Sequence, residues 1–160
     1  MKLVISCDLK EFRTYYKTAR GELGVREEEI IKQDSSHLIL WRDDHQILGH
    51  AIWHESNTEE HEKGDPRDEN DRKILEELLG GKKEFIELHE IWLKVEHRGK
   101  GYGKIFFAFF EKFVAKKGYD SIIFYADDPS ALAICRQRGY KEADERVSGY
   151  TVLCKSDLEK

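Results

Sequence analysis

"EFIELHEIWLKVEHRGKGYGK", residues 84–104, is the stretch from which the fold can be read. Its first twelve residues are rich in apolar and β-prone side chains and read as one long strand. Gly99, Gly101 and Gly103 then fall on alternate positions, with Arg98, Lys100 and Lys104 around them. The following "YGKIFFAFFEKFVAKKG" sets Ile105, Phe106, Phe109, Phe110, Phe113 and Val114 on one wide helical face and stops at Gly118. A helix with that face packs on a sheet.

A strand that runs through a glycine turn into a helix offers unpaired N–H groups and the positive end of the helix dipole, an arrangement that favours an anion. Glycine lets a phosphate approach the backbone closely, and the three cations add charge. Two familiar phosphate motifs fail here. A P-loop needs Ser or Thr after its Lys, and Lys104 is followed by Ile105; a dinucleotide fingerprint needs Gly where Lys104 stands. A tight connection whose glycines only relieve strain is the plainer alternative.

Outward from this stretch, "KLVIS" reads as a short strand, and Asp8 is placed to cap a helix over "DLKEFRTYYKTAR". A second short helix is expected over 25–33. "HLILW" and "ILGHAIWH", joined by the polar "RDDHQ", read as a hairpin. An acidic helical insertion is expected at about 55–83, its helix in "RDENDRKILEELLGG" stopped by Gly80 and Gly81. Towards the end, "YDSIIFYA" is a strand, "DPSALAICRQRG" a short helix with Asp128 as N-cap and Pro129 at its first position, and "GYTVLCKS" a last strand. The order gives an α/β or α+β class with a mixed sheet.

The 160 residues, 39% apolar, suit a single domain over 1–160. No run approaches the length of a membrane span and the start lacks a signal-peptide pattern, so a cytoplasmic protein without a membrane partner is expected. Cys7, Cys135 and Cys154 are scattered and outside any CxxC pair, which points to reduced thiols rather than a disulfide or zinc framework. A net charge of -5 argues against a nucleic-acid partner.

"LKVEHRGKGYG" resembles motif A of the GNAT superfamily of N-acetyltransferases, [RQ]-x-x-G-x-[GA], carried by Arg98, Gly101 and Gly103. "ADDPSALAICRQRGYKEA" is similar to the family's later helix, which ends in a Gly-aromatic pair, here Gly139-Tyr140. The resemblance implies a twisted mixed sheet of six to seven strands flanked by helices and splayed at an acetyl-CoA site. It implies that Arg98, Gly99, Lys100, Gly101, Tyr102, Gly103 and Lys104 hold the diphosphate of the co-substrate. Ile91, Trp92 and Leu93 would pair with its pantetheine, and the Leu93 N–H would meet the oxyanion. Asp128 stands where the family has Asn, and a carboxylate cannot donate the amide hydrogen bond.

Amine acetylation needs a neutral amine, and at pH 7 only about one lysine-like amine in a few thousand is neutral, so a base is required. Glu87 and His89 fall on one face of the strand by alternation and Glu90 on the other, unless a bulge intervenes. Glu87, eleven residues before Arg98, has the spacing of the base in family members that acetylate protein lysines. An ordinary strand carboxylate is the alternative. Where the family commonly has a Tyr as proton donor this chain has Cys135, a thiol that either donates or packs as a small hydrophobe.

His50 and His54 share a strand face and could converge with His89 and Glu87, but four residues of strand separate them by about 13 Å, and no metal is expected. The acidic residues between Glu55 and Asp71 read either as a solvated loop or as attraction for a cationic acceptor. The expected partner is a small amine or basic peptide; a homodimer is left open. The competing function is a catalytically silent acyl-CoA-binding domain.

Overall fold

The computed structural model describes residues 2–5, 9–19, 36–59 and 68–158. Among the described residues, seven strands and four helices follow in the order β1 (Lys2–Ile5), α1 (Leu9–Ala19), β2 (Ser36–Arg42), β3 (Ile47–Asn57), α2 (Glu69–Leu79), β4 (Glu84–Leu93), α3 (Tyr102–Lys116), β5 (Ile122–Ala126), α4 (Pro129–Gln137), β6 (Lys141–Glu142) and β7 (Thr151–Lys155). A 3-10 turn, Val95–His97, stands between β4 and α3. The strand order is β1-β2-β3-β4-β5-β7-β6, so the mixed sheet expected from the sequence has seven strands. The expected cap Asp8, the helix over 25–33, Cys7 and the acidic residues 60–67 lie outside the described residues.

The chain divides into two compact units, Met1–His54 with His89–Phe106, and Glu55–Leu88 with Phe107–Lys160. In the first, β1, β2 and β3 pair antiparallel, and "RDDHQ" makes the turn of the β2–β3 hairpin. Asp43 fixes that turn by accepting the N–H groups of His45 and Gln46, each at 2.8 Å. Phe12, Tyr15 and Tyr16, three to four residues apart on α1, pack on Leu38, Leu40 and Ile52 from β2 and β3. Burying each such aromatic ring contributes about 1.5–3 kcal/mol. Gly49 lets β3 approach β4: a Cβ there would fall 2.2 Å from the Trp92 carbonyl oxygen.

In the second unit, β4 pairs parallel with β5 over Ile86–Leu88, and β5 pairs antiparallel with β7 along its whole length. The parallel ladder ends there, while β4 continues to Leu93. Ile74, Leu75, Leu78 and Leu79 of α2 pack with Phe85, Ile123, Val152 and Cys154. Asp68 caps α2 by accepting the N–H groups of Asn70 and Asp71, and Gly80 ends it in the left-handed conformation with φ 62°. Asp71 accepts the Tyr125 hydroxyl at 2.9 Å. Two carboxylates of the acidic insertion therefore serve the fold.

Candidate active site

The first unit holds the end of β4, the glycine turn and the start of α3. Gly99 and Gly101 have φ of 77° and 82°, the left-handed region that glycine adopts without strain, and a Cβ at either would meet nothing within 4 Å. The turn is thus both glycine-dependent and open. α3 begins at Tyr102, so the N–H groups of its first turn have no partner within the helix. Arg98 folds back on β4: its Nε donates to the Leu93 carbonyl at 2.9 Å and its guanidinium lies 4.1 Å from the Trp92 ring centroid. Gly103 lies inside α3 with Lys104 after it, and Lys100 is exposed in the turn.

His97 is buried beside this turn, and its Nε2 has no hydrogen-bond partner among the described residues. Two bare left-handed glycines and three cations at the start of a helix fit a diphosphate in this turn. The same residues would be a poor setting for an apolar ligand.

On β4, His89 Nε2 lies 2.5 Å from His54 Nδ1 and the two rings stack with centroids 4.4 Å apart. His50 makes different bonds: its Nδ1 is 2.8 Å from the Tyr15 hydroxyl and its Nε2 is 2.8 Å from Glu90 Oε2. His50 and His54 thus bond different residues of β4. They lie four apart on β3, yet their partners Glu90 and His89 are consecutive on β4. Strict alternation in both strands is incompatible with that, so one of them carries the irregularity that a bulge produces. The expectation of Glu90 on its own face, drawn from alternation alone, is corrected accordingly. Trp53 is a core residue stacked on His37.

Glu87 belongs to the second unit, where it pairs with Ile123 in the β4–β5 ladder and is buried. Asp128 caps α4 as expected, its carboxylate accepting the Ala131 N–H at 3.2 Å. Cys135, on the buried side of α4, is pushed up to about 12 by burial and then by the charge of Glu111. Such a thiol holds its proton and is a weak donor. Around it is a cluster that periodicity could not reveal: Glu111 takes the Arg138 guanidinium in a two-point contact at 2.9 and 2.6 Å and also accepts the Tyr140 hydroxyl at 2.9 Å. Burial and the Glu111 charge raise Tyr140 well above its ordinary value.

The sequence matches the acetyltransferase (GNAT) family over residues 4–140. No curated protein sequence is significantly similar to it. Among solved structures, arylalkylamine N-acetyltransferase 2 from Aedes aegypti is 12% identical with a TM-score of 0.64, covering 98% of this chain and 99% of that one. Tetrahymena GCN5 is 10% identical, with a TM-score of 0.63 and coverage of 98% and 96%. The PaiA N-acetyltransferase of Thermoplasma acidophilum, solved in complex with coenzyme A, is 14% identical, with a TM-score of 0.57 and coverage of 98% and 99%. With its motif, its sheet and the family match over most of its length in agreement, the chain belongs to the acetyltransferase (GNAT) family and is an acyltransferase.

Proposed function

We propose that this protein is an N-acetyltransferase that moves an acetyl group from acetyl-CoA to a primary amine by direct attack. The observation that carries the proposal is the open turn with left-handed Gly99 and Gly101, at the end of β4 and the start of α3. The backbone N–H groups of Gly99 to Lys104 would hold the diphosphate, with Arg98, Lys100 and Lys104 supplying positive charge. The edge of β4 at Ile91, Trp92 and Leu93 would pair with the pantetheine, and the Leu93 N–H would face the carbonyl oxygen. When bound, acetyl-CoA supplies the electrophilic thioester.

The chain's own task is to deprotonate the amine. We assign this to Glu87, with His89 as the second proton-accepting group on β4. His54 completes the arrangement, because its Nδ1 bonds His89 Nε2 and so fixes that ring. Cys135 is assigned to packing, since a thiol pushed up to about 12 does not release its proton readily. Asp128 is assigned to capping α4, its carboxylate already engaged by the Ala131 N–H. The acceptor is a small amine or a basic peptide.

The test is thiol release from acetyl-CoA, followed with a chromogenic reagent against polyamines, arylalkylamines, amino acids and basic peptides. Release with one class identifies the acceptor. Binding of CoA without release from any of them contradicts acetyl transfer to amines.

A further inference from the structure

The last three residues of the cofactor strand aim their backbone groups at different edges. Lys94 donates its N–H to the Leu48 carbonyl of β3 at 2.9 Å, and a Cβ built on Gly49 of β3 would run into the Trp92 carbonyl oxygen. Successive residues of a strand direct their N–H and C=O groups to alternate edges, so Leu93, which stands between these two, faces away from β3. That is the edge at which a ligand would pair with β4.

The protein itself already uses the Leu93 carbonyl. The Val95–His97 turn closes with the His97 N–H on the Lys94 carbonyl at 2.9 Å and the Arg98 N–H on the Val95 carbonyl at 3.2 Å, which brings the chain back towards the end of β4. From there Arg98 Nε donates to the Leu93 carbonyl at 2.9 Å, and the guanidinium lies 4.1 Å from the centroid of the Trp92 ring. Arg98 is exposed, and among the described residues no carboxylate pairs with it. A neutral carbonyl and a ring face hold the side chain without neutralising its charge.

A diphosphate in the adjacent turn would be a stronger partner, because guanidinium bonds to phosphate are charge-assisted and two-pronged. Arg98 directly precedes Gly99, so one side chain can serve either the β4 edge or the turn. A thioester that carries a diphosphate takes the Leu93 carbonyl and gives Arg98 a better partner in exchange. One that lacks it must displace the Nε–H and supplies nothing in return. A ligand moves such an equilibrium only by its differential affinity for the two arrangements.

We propose that Arg98 is a specificity-determining latch, which occupies the Leu93 carbonyl until a diphosphate draws it away and so sets the β4 edge against thioesters without one. Discrimination of this kind uses a contact that opposes the wrong ligand as well as one that attracts the right one. The latch deepens the proposed acetyl-CoA site and rests on it. To the positive charge already assigned to Arg98 it adds a second task, which opposes binding of the pantetheine arm alone.

The experiment is backbone and side-chain ¹⁵N NMR of the intact chain, titrated in parallel with CoA and with reduced pantetheine, which has the same amide arm and thiol but no phosphate. In the wild type both ligands should move the Leu93 amide and the Arg98 Nε–H signal. In Arg98→Ala, pantetheine should bind about threefold tighter, because the Leu93 carbonyl is uncovered, and CoA about tenfold weaker, because a cation is lost. A residue that merely supports the fold would weaken both. Arg98→Lys keeps the charge without the Nε donor or the planar stack, so pantetheine should again bind about threefold tighter while CoA stays within threefold of the wild type. Pantetheine affinity that is equal or lower in both variants overturns the proposal, as does wild-type CoA binding that leaves the Arg98 Nε–H signal unmoved. If CoA moves the Gly99 to Lys104 amides while pantetheine leaves Leu93 unmoved in every protein, the latch fails and the diphosphate turn stands. If CoA does not bind, the acetyl-CoA reading fails and the latch fails with it.

Discussion

Both units of the molecule hydrogen-bond a carboxylate to a side chain that also neighbours a tyrosine, and they expose the result differently. In the second unit Glu111 spends its oxygens on Arg138 and Tyr140, all within the protein. In the first, Glu90 bonds the buried His50 imidazole and is itself 21% exposed, while the turn at the left-handed Gly99 and Gly101 has open space around it. A closed set of charges specifies and stiffens a fold, whereas one with hydrogen-bonding capacity directed outward can meet a ligand. This contrast says where substitutions should change stability and where they should change binding.

The largest effect belongs to the turn. Gly101→Glu forces a side chain into a left-handed position and sets a negative charge where a diphosphate would lie; CoA-dependent thermal stabilisation should vanish. Retention of the wild-type shift would remove the turn from the account. Next, Glu87→Gln should leave CoA affinity intact and lower turnover about a hundredfold, most at neutral pH. An unchanged pH-rate profile would transfer the role to His89.

Glu111→Ala tests the other side of the comparison. It leaves Arg138 and the buried Tyr140 hydroxyl unpaired and should cost about 2–4 kcal/mol in denaturant unfolding, with CoA affinity of the folded protein unchanged. A loss of affinity larger than the loss of stability would mean that the closed cluster contributes to binding as well.

The smallest effect is alkaline. The thiol of Cys135 has an ordinary value of 9.0 and is pushed up to about 12 in the fold. Between those values the unfolded state binds fewer protons than the folded one, so stability falls as pH rises through that window. Cys135→Ala should flatten part of this slope without lowering turnover at pH 7. A turnover loss at pH 7 would restore Cys135 to the chemistry.

What the sequence made legible was local. The strand, the glycine turn and the amphipathic helix after it occupy consecutive residues, and their spacing alone placed Arg98, Gly101 and Gly103 correctly on them. Asp128 and Pro129 announced α4, and Gly80 announced the end of α2, because caps act within one turn of chain. The Tyr15–His50–Glu90 chain was not legible, since its members lie 35 and 40 residues apart and meet only once α1 packs on the sheet and β3 lies beside β4. Glu111, Arg138 and Tyr140 were hidden for the same reason. Alternation also failed at the place where it mattered, because one irregularity in a strand pair brings consecutive residues of β4 to partners on one face of β3.

The most direct measurement of the central claim is a CoA titration followed by backbone ¹⁵N NMR of the intact chain. The account predicts that the amides of Gly99 to Lys104 shift most, that the Ile91 to Leu93 amides follow, and that the imidazole of His97 shifts with them. Saturable CoA binding that leaves the Gly99 to Lys104 amides unmoved would contradict it.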